Sequence, residues 1–485
     1  MRGHFCVWWT FSFKKRWVWT AQDGSQDDFV RLTGRVEHSK SLVFTERRTT
    51  GRVYPPGESL LALASPTLCP LDTPFPFRLQ VRMSVRFEEV QAAATRIAGH
   101  VVETPCPLSI PLSELTGARI FCKLEHLQRT GSFKERGARN ALSLLAPEKK
   151  KLGVIAASAG NHALGLAYHG QLLGIPVTVV MPRFAPLTKV TNCRRMGAEV
   201  VLHGNDISES RGRADEIAKE RKLTYINGYD DPAIIAGQGT LGLEVAAQVS
   251  DVDAMIVPVG GGGLIAGVAL ALKTIKPSVK IIGVEPENAS SFHAALAAGR
   301  PVPVLLKPTL ADGLAVAQVG ENAFNLARRL VDDVIIVKER EIALGILRLL
   351  ELEKVVVEGA AAASLAACLG GMVSGLKGKN VVLPLTGGNI DTPILGRVLE
   401  RGLASDGRLY RFTATISDRP GGLARFASII GEAGASIIEI AHDRAFSTAD
   451  INSVNVNCVV ETRDVAHIAE LRRRLAAEGF VTESK

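Results

Sequence analysis

Apolar and polar positions change period several times along this chain. Between about residues 118 and 385, short apolar runs alternate with longer stretches whose apolar residues recur every three to four positions. The runs at 177–181, 199–202, 254–259, 280–285 and 380–385 read as strands. Stretches such as 185–196 and 206–221 read as the helices between them. Strand–helix alternation predicts a doubly wound α/β region built on parallel sheets. Past residue 401 the pattern changes. Residues 402–407, Gly-Leu-Ala-Ser-Asp-Gly, read as a linker. Then 409–416 alternates as a strand, 423–433 is a helix stopped by Gly434, 436–442 and 453–461 are strands, and 465–478 is a helix before Gly479. A short strand at 480–482 would complete β-α-β-β-α-β, a ferredoxin-like α+β unit.

The first 82 residues follow neither pattern. Proline clusters and missing periodicity predict disorder there. All four tryptophans, Trp8, Trp9, Trp17 and Trp19, fall in its first twenty positions. Lysine and arginine number 12 against 7 acids, a net of +5 out of the chain's +8, so the basic balance argues little for nucleic acid. The segment reads either as an organelle leader, against which the seven acids count, or as an extension ahead of a start at Met83. Localisation is therefore expected to be cytoplasmic, or in an organelle if the leader reading holds. The full 485 residues suffice for two or three domains, and 46% hydrophobic content supports sizeable cores. Seven scattered cysteines without a C-x-x-C pair point to a reducing compartment.

Three segments carry candidate chemistry. The first is Gly131-Ser132-Phe133-Lys134-Glu135-Arg136-Gly137, which puts one lysine where a helix begins. Ser132 is expected to cap that helix. The helix dipole and Arg136 would both favour a neutral amine at Lys134. A neutral lysine amine is a nucleophile that can hold a carbonyl cofactor as a Schiff base, although a lone lysine is more commonly a solvated surface charge.

The second segment is a strand at 254–259 followed by Gly260, Gly261, Gly262 and Gly263 and a helix from Leu264. Four glycines remove every Cβ, so successive backbone amides can converge on a phosphate at the helix N-terminus. Residues 254–272 carry no charge, but Pro258 and the glycine run would break a membrane helix near its middle. A plain flexible turn is the bland alternative. The sharper rival is a dinucleotide site, since Gly261, Gly263 and Ala266 fit G-x-G-x-x-A and Glu285 ends the next strand. The third segment, Ser158-Ala159-Gly160-Asn161-His162, opens an Ala/Leu-rich helix. Its N-terminus suits a carboxylate, and Asn161 offers a donor and an acceptor; the competing reading is a helix cap with His162 on the surface.

Taken together, in this order and spacing, the three segments resemble the serine/threonine dehydratase family of pyridoxal-phosphate enzymes, fold type II. The likeness runs from about Val85 to Arg401, and Pro384-Leu385-Thr386-Gly387-Gly388-Asn389 adds a fourth match. The dinucleotide reading explains none of the other segments. The resemblance implies two catalytic lobes within 83–401, the smaller near 129–232, with the cofactor between them. It implies that Lys134 forms the Schiff base and later takes the substrate's α-proton, and that Phe133 packs on the cofactor ring. The amides of Gly260, Gly261, Gly262, Gly263 and Leu264 would bind the phosphate. Asn161 would contact the ring hydroxyl, and Thr386 would face the pyridine nitrogen. Ser158, Ala159, Asn161 and His162 would form the loop that holds the substrate carboxylate. Glu358 sits where the family places an acid near the cofactor; a plain helix-start carboxylate explains it equally.

The implied reaction is β-elimination of water from L-threonine, and from L-serine, giving 2-oxobutanoate or pyruvate plus ammonia. Serine racemase is a relative of this family with a different outcome. Its second loop serine, the proton donor on the far face, is here Ala159, which favours elimination. Racemase-type relatives also bind a divalent cation at a segment like 283–291. Glu285 and the carbonyl of Ala289 match, but Ser291 replaces an acid, leaving either a weaker monovalent site or none. The Asp418-Arg419-Pro420-Gly421-Gly422-Leu423 run in the unit 408–485 resembles an ACT domain. That likeness implies an amino-acid effector held at Asp418, Gly421, Gly422 and Leu423, and pairing into a homo-dimer or tetramer. A single unit is like the shorter threonine ammonia-lyases, and a role in threonine catabolism or isoleucine biosynthesis stays open. The competing function class is an amino-acid-binding regulator with a degenerate site. Neither nucleic acid nor membrane is an expected partner.

Overall fold

Five valine-, isoleucine- and alanine-rich runs form the strands that position the site. A computed structural model describes residues 85–443 and 452–484, together with the backbone of four strands between Trp8 and Arg48. The chain divides into units 1–79 and 80–485. In the first, Trp8–Ser12, Arg16–Gln22, Phe29–Glu37 and Ser41–Arg48 form an antiparallel meander. The sequence pattern leads to no strands there, so disorder is not what these four stretches show. The leader reading and the Met83 start bear on residues outside the described ones.

The larger catalytic sheet runs in the order Asp333–Val337, Lys280–Pro286, Ala254–Pro258, Asn380–Pro384, Arg119–Lys123, Leu108–Ser109. All neighbours are parallel except the last pair. Ala254–Pro258 and Asn380–Pro384 are buried at every residue, as strands covered by helices on both faces must be. Two apolar cores fill those faces. One gathers Ile265, Val268 and Leu272 with Phe292 and Phe324; the other gathers Ala361, Leu365, Ile342 and Ile346. The smaller lobe has a parallel sheet, Thr224–Tyr225, Val154–Ala157, Val177–Met181, Glu199–Leu202, with its own core around Leu142, Leu166 and Val179. Asp206 starts the helix Ile207–Arg221 by accepting from the amides of Ser208 and Glu209 at 2.8 and 2.9 Å. The two doubly wound lobes match the expected fold class.

The last unit has antiparallel strands in the order Ser436–Asp443, Ser453–Glu461, Leu409–Ser417, Val481–Ser484. Helices Gly422–Glu432 and Val465–Ala477 bury Phe426, Ile430, Leu471 and Leu475 against Phe412 and Val456. This is the β-α-β-β-α-β order. The expected linker at 402–407 is corrected, because the helix Thr392–Ser405 runs through most of it. Gly402 lets that helix approach the helix Glu339–Arg348: an added Cβ would lie 3.0 Å from Leu347 Cβ. Beyond Ser405, Asp406 pairs with Arg348, and Arg408 pairs with Glu351. Glu351 lies in the π-helical turn Leu349–Glu353, and Arg348 also holds it at 2.8 Å. The root of the C-terminal unit is thus tied to the catalytic core by four charges.

Candidate active site

Lys134 is the first residue of the helix Lys134–Leu144. The corner before it turns at Gly131, whose φ of +75° excludes most side chains; a Cβ there would also meet Asn389 Oδ1 at 2.6 Å. Ser132 does not cap the helix. Phe133 holds the N-cap position with no side-chain bond, while the Ser132 backbone bridges to Gly387. Ser132 Oγ is buried with no partner among protein atoms. Phe133 N donates to Thr386 O at 3.0 Å, so the lysine corner and the Thr386 loop are stitched together.

The Lys134 amine is enclosed and donates to Gly228 O at 2.9 Å. Burial lowers its pKa to about 8, and the carboxylate of Glu358 partly opposes that shift. Arg136 is not the cause. It lies on the far side of the helix, where its guanidinium binds Glu125 at 2.7 and 2.8 Å, Glu244 at 2.8 Å and Thr240 at 3.1 Å. Glu125 and Arg136 are both fully buried, so each neutralises the other.

Asn161 begins the helix Asn161–Leu173 and faces the same place. Its Nδ2 donates to both oxygens of Glu358 at 2.8 and 3.0 Å, and its Oδ1 accepts from Asn389 Nδ2 at 2.9 Å. Asn389 also donates to Thr130 O at 2.7 Å. Glu358 is buried, and that burial raises its pKa to about 7, with Asp312 adding to the shift and Asn161 opposing it. Gly387 is packed between them, where a Cβ would come within 2.6 Å of Glu358 Oε1 and 3.1 Å of Asn161 Nδ2. Ser158 Oγ accepts from Gly160 N at 3.3 Å, shaping the loop that includes Ala159.

The glycine run sits between Ala254–Pro258 and the helix Gly263–Ile275. Gly262 is left-handed at φ +90°, and Leu264 is buried. The first amides of a helix have no intrahelical acceptor, so this corner presents donors to an anion. The four segments therefore meet, with Lys134 joined to the glycine run through the turn at Gly228 and Tyr229.

The family profile described as "Pyridoxal-phosphate dependent enzyme" matches residues 97–387. The chain belongs to that family. An L-threonine ammonia-lyase of Thermotoga maritima is 43% identical over 396 residues, covering 82% of this chain and 98% of that protein. One from Geobacter sulfurreducens is 45% identical over 394 residues, covering 81% and 98%. Among solved structures, the processed form of threonine deaminase isoform 2 from Solanum lycopersicum matches with a TM-score of 0.62 at 38% identity, over 65% of this chain and 87% of that one. Maize serine racemase matches with a TM-score of 0.62 at 34% identity, over 66% and 98%.

The residues present fit the family's pyridoxal phosphate. There is a half-buried lysine whose amine donates to a carbonyl, an anion-ready glycine corner that side chains would obstruct, and an orphaned hydroxyl at Ser132. One expectation is corrected. His162 is not on the surface. Its ring is buried, its Nε2 faces Ile226 O at 3.1 Å, and burial lowers its pKa to about 3. At the expected cation segment the Glu285 oxygens have protein partners. Both accept amides, from Phe292 at 2.7 Å and His293 at 2.8 Å, at the start of the helix Ser291–Ala298. Ser291 is buried in that turn with Ala289 beside it, and among the described residues no group of three or more His, Cys, Asp or Glu gathers as a metal site.

Reading the sequence missed the residues that join the lobes. Lys189 of the small lobe reaches Asp312 of the large one at 3.2 Å, and Thr188 Oγ1 donates to Asp391 at 2.9 Å. It missed Asn389 as well, although that residue ends the quoted Thr386 motif. Among the described residues no helix is long and apolar enough to cross a membrane.

Proposed function

We propose that the protein is a threonine ammonia-lyase that eliminates water from L-threonine, and from L-serine, to give 2-oxobutanoate or pyruvate and ammonia. The observation that carries this is the enclosed Lys134 amine, with its pKa lowered to about 8, meeting the glycine corner and the Asn161–Glu358 pair. At neutral pH such an amine is deprotonated far more readily than an ordinary lysine, so it can act as nucleophile and base. When bound, pyridoxal phosphate supplies the conjugated ring that spreads the charge left at the α-carbon. The chain's own groups do the rest. Lys134 Nζ would hold the cofactor and, once released by the substrate amine, would take the α-proton. The β-carbon–oxygen bond would then break, the hydroxyl leaving as water with a proton equivalent to the one Lys134 has taken. Lys134 returns to its first state as the enamine leaves, and hydrolysis of the enamine releases ammonia.

The amides of Gly260 to Leu264 would hold the phosphate, Asn161 would orient the ring hydroxyl, and Phe133, its ring centroid 5.0 Å from Lys134 Nζ, would pack beside it. Thr386 gives the ring nitrogen a neutral partner. The amides and hydroxyl of the Ser158–Asn161 loop hold the substrate carboxylate, with His162 supporting that loop from beneath. Ala159 has no proton to deliver to the opposite face, which favours elimination over racemisation. Residues 408–485 act as an amino-acid-responsive ACT domain. Supporting this are the left-handed Gly421, at φ +93°, and Gly422, whose Cβ would strike Ser417 O at 2.2 Å; the two leave backbone exposed in the turn after the first strand, between Asp418 and Leu423. The decisive experiment measures 2-oxo acid release from L-threonine and L-serine by cofactor-loaded protein, with chiral analysis of the residual serine. Release of 2-oxo acid with little D-serine supports the lyase. Predominant D-serine would replace it with a racemase, and absence of a cofactor band would leave the degenerate regulator.

A further inference from the structure

The turn Asn227-Gly228-Tyr229-Asp230 leads from the small lobe into the long helix Pro232–Gln248 and belongs to none of the four motif segments. Asn227 fixes its shape: Oδ1 accepts from the amides of Tyr229 and Asp230 at 3.0 and 2.9 Å. Each following residue then faces a different part of the site. The Gly228 carbonyl holds the Lys134 amine at 2.9 Å. The Tyr229 ring lies flat against Gly261, so closely that a Cβ on that glycine would sit 2.1 Å from the ring's Cγ. The Tyr229 carbonyl fills the Cβ direction of Gly263 at 2.2 Å. Asp230 accepts from Ala323 N at 2.9 Å and presses on Gly320, which donates its own amide to Gly261 O at 3.0 Å.

Gly262 is the residue of the run with a positive φ. Gly261 has a backbone that alanine could adopt, so what demands glycine at 261 is the approach of Tyr229. Four successive glycines have the greatest conformational freedom of any tetrapeptide. An anion that has to order them on arrival binds more weakly than one that finds them ordered. We propose that Tyr229 is a positioning residue whose ring braces Gly260–Gly263 in the shape that receives the cofactor phosphate, while Gly228 of the same turn holds the amine that receives its aldehyde. The proposal rests on reading the glycine run as the phosphate site.

The test titrates ligand-free protein with pyridoxal phosphate and, separately, with pyridoxal, which has the aldehyde and no phosphate. The lysine imine absorbance is the readout. Tyr229→Phe keeps the ring and is expected to bind pyridoxal phosphate within about two-fold of the parent. Tyr229→Ala is expected to weaken pyridoxal phosphate at least about ten-fold and leave pyridoxal within about two-fold. Gly261→Ala alone weakens pyridoxal phosphate, and it does so less in a Tyr229→Ala background, because the colliding ring is gone. Should the alanine variant fail to fold by circular dichroism, Tyr229→Leu takes its place with the same expected order. Unchanged binding of pyridoxal phosphate overturns the brace. Equal loss of both compounds also overturns it, placing Tyr229 with the general support of the fold. A parent protein that captures neither compound overturns the phosphate-site reading itself.

Discussion

At the scale of single residues, the chemistry turns on one amine. Burial sets its pKa near 8, and Glu358 holds it up from a still lower value. The neutral fraction of Lys134 in ligand-free protein should therefore rise through about pH 8, well below the ordinary lysine value of 10.5. The rate of imine formation with pyridoxal, measured against pH, is expected to show that midpoint. Glu358→Gln removes a negative charge beside the amine and should move the midpoint downward. A midpoint near 10.5 would mean the amine is solvated. The same shift bears on stability. With a folded pKa below the unfolded one, the unfolded chain binds more protons between about pH 8 and 10.5. Ligand-free protein should gain stability across that window, and Lys134→Met should lose that gain, as thermal melts against pH would report.

The lysine itself was legible in the sequence; the cause of its reactivity was not. Arg136 stands two residues on, which suggests an electrostatic neighbour. Two helical positions turn the side chain through roughly 200°, so Arg136 serves another contact. His162, one position round the helix from Asn161, turns its ring into the core and not to the surface. Tyr229 carried no local signal, because its partner Gly261 is distant in sequence and known only once the chain is folded.

At the scale of elements, the helix Lys134–Leu144 is held by a buried charge cluster, with Glu125, Glu244, Lys123 and Arg136 in contact. Removing one member leaves its partner charged and unpaired in the core. Glu125→Ala should cost about 3–5 kcal/mol of stability, read as a lower urea midpoint. Replacing Glu125 and Arg136 together by apolar residues should cost less than the single change. Alternation of period identified the strands Val177–Met181, Glu199–Leu202, Ala254–Pro258, Lys280–Pro286 and Asn380–Pro384 to within a residue or so, and left Arg119–Lys123, Thr224–Tyr225 and Asp333–Val337 unmarked. It misplaced the linker. Gly402 and Ser405 look like loop residues, yet Gly402 is a helical glycine that permits close approach to Leu347. Composition cannot separate these uses of glycine. Glu285 ends a strand as a cation ligand would, and its oxygens accept the amides that open the next helix.

At the scale of the whole molecule, the catalytic lobes and the C-terminal unit meet at the charges Arg348, Glu351, Asp406 and Arg408. An effector bound near Asp418 can change the rate only by favouring one of two arrangements of the protein. A chain ending at Gly407 should still eliminate water and should lose any response to isoleucine, valine, threonine or serine, as kinetics and sedimentation would show. An unchanged response would put the effector site in the catalytic lobes. A chain starting at Met83 keeps every motif and should keep the activity; loss of activity would make the first unit part of the working enzyme.

Every proposed chemical step passes through Lys134. The most direct measurement follows 2-oxobutanoate release from L-threonine by purified protein supplied with pyridoxal phosphate, parent and Lys134→Ala side by side, with the absorbance of each recorded. The parent should show the imine band and turn over. The variant should lose the band and nearly all turnover while staying folded by circular dichroism. Elimination by the variant at anything near the parental rate would contradict the assignment of the lysine, and with it the mechanism built on it.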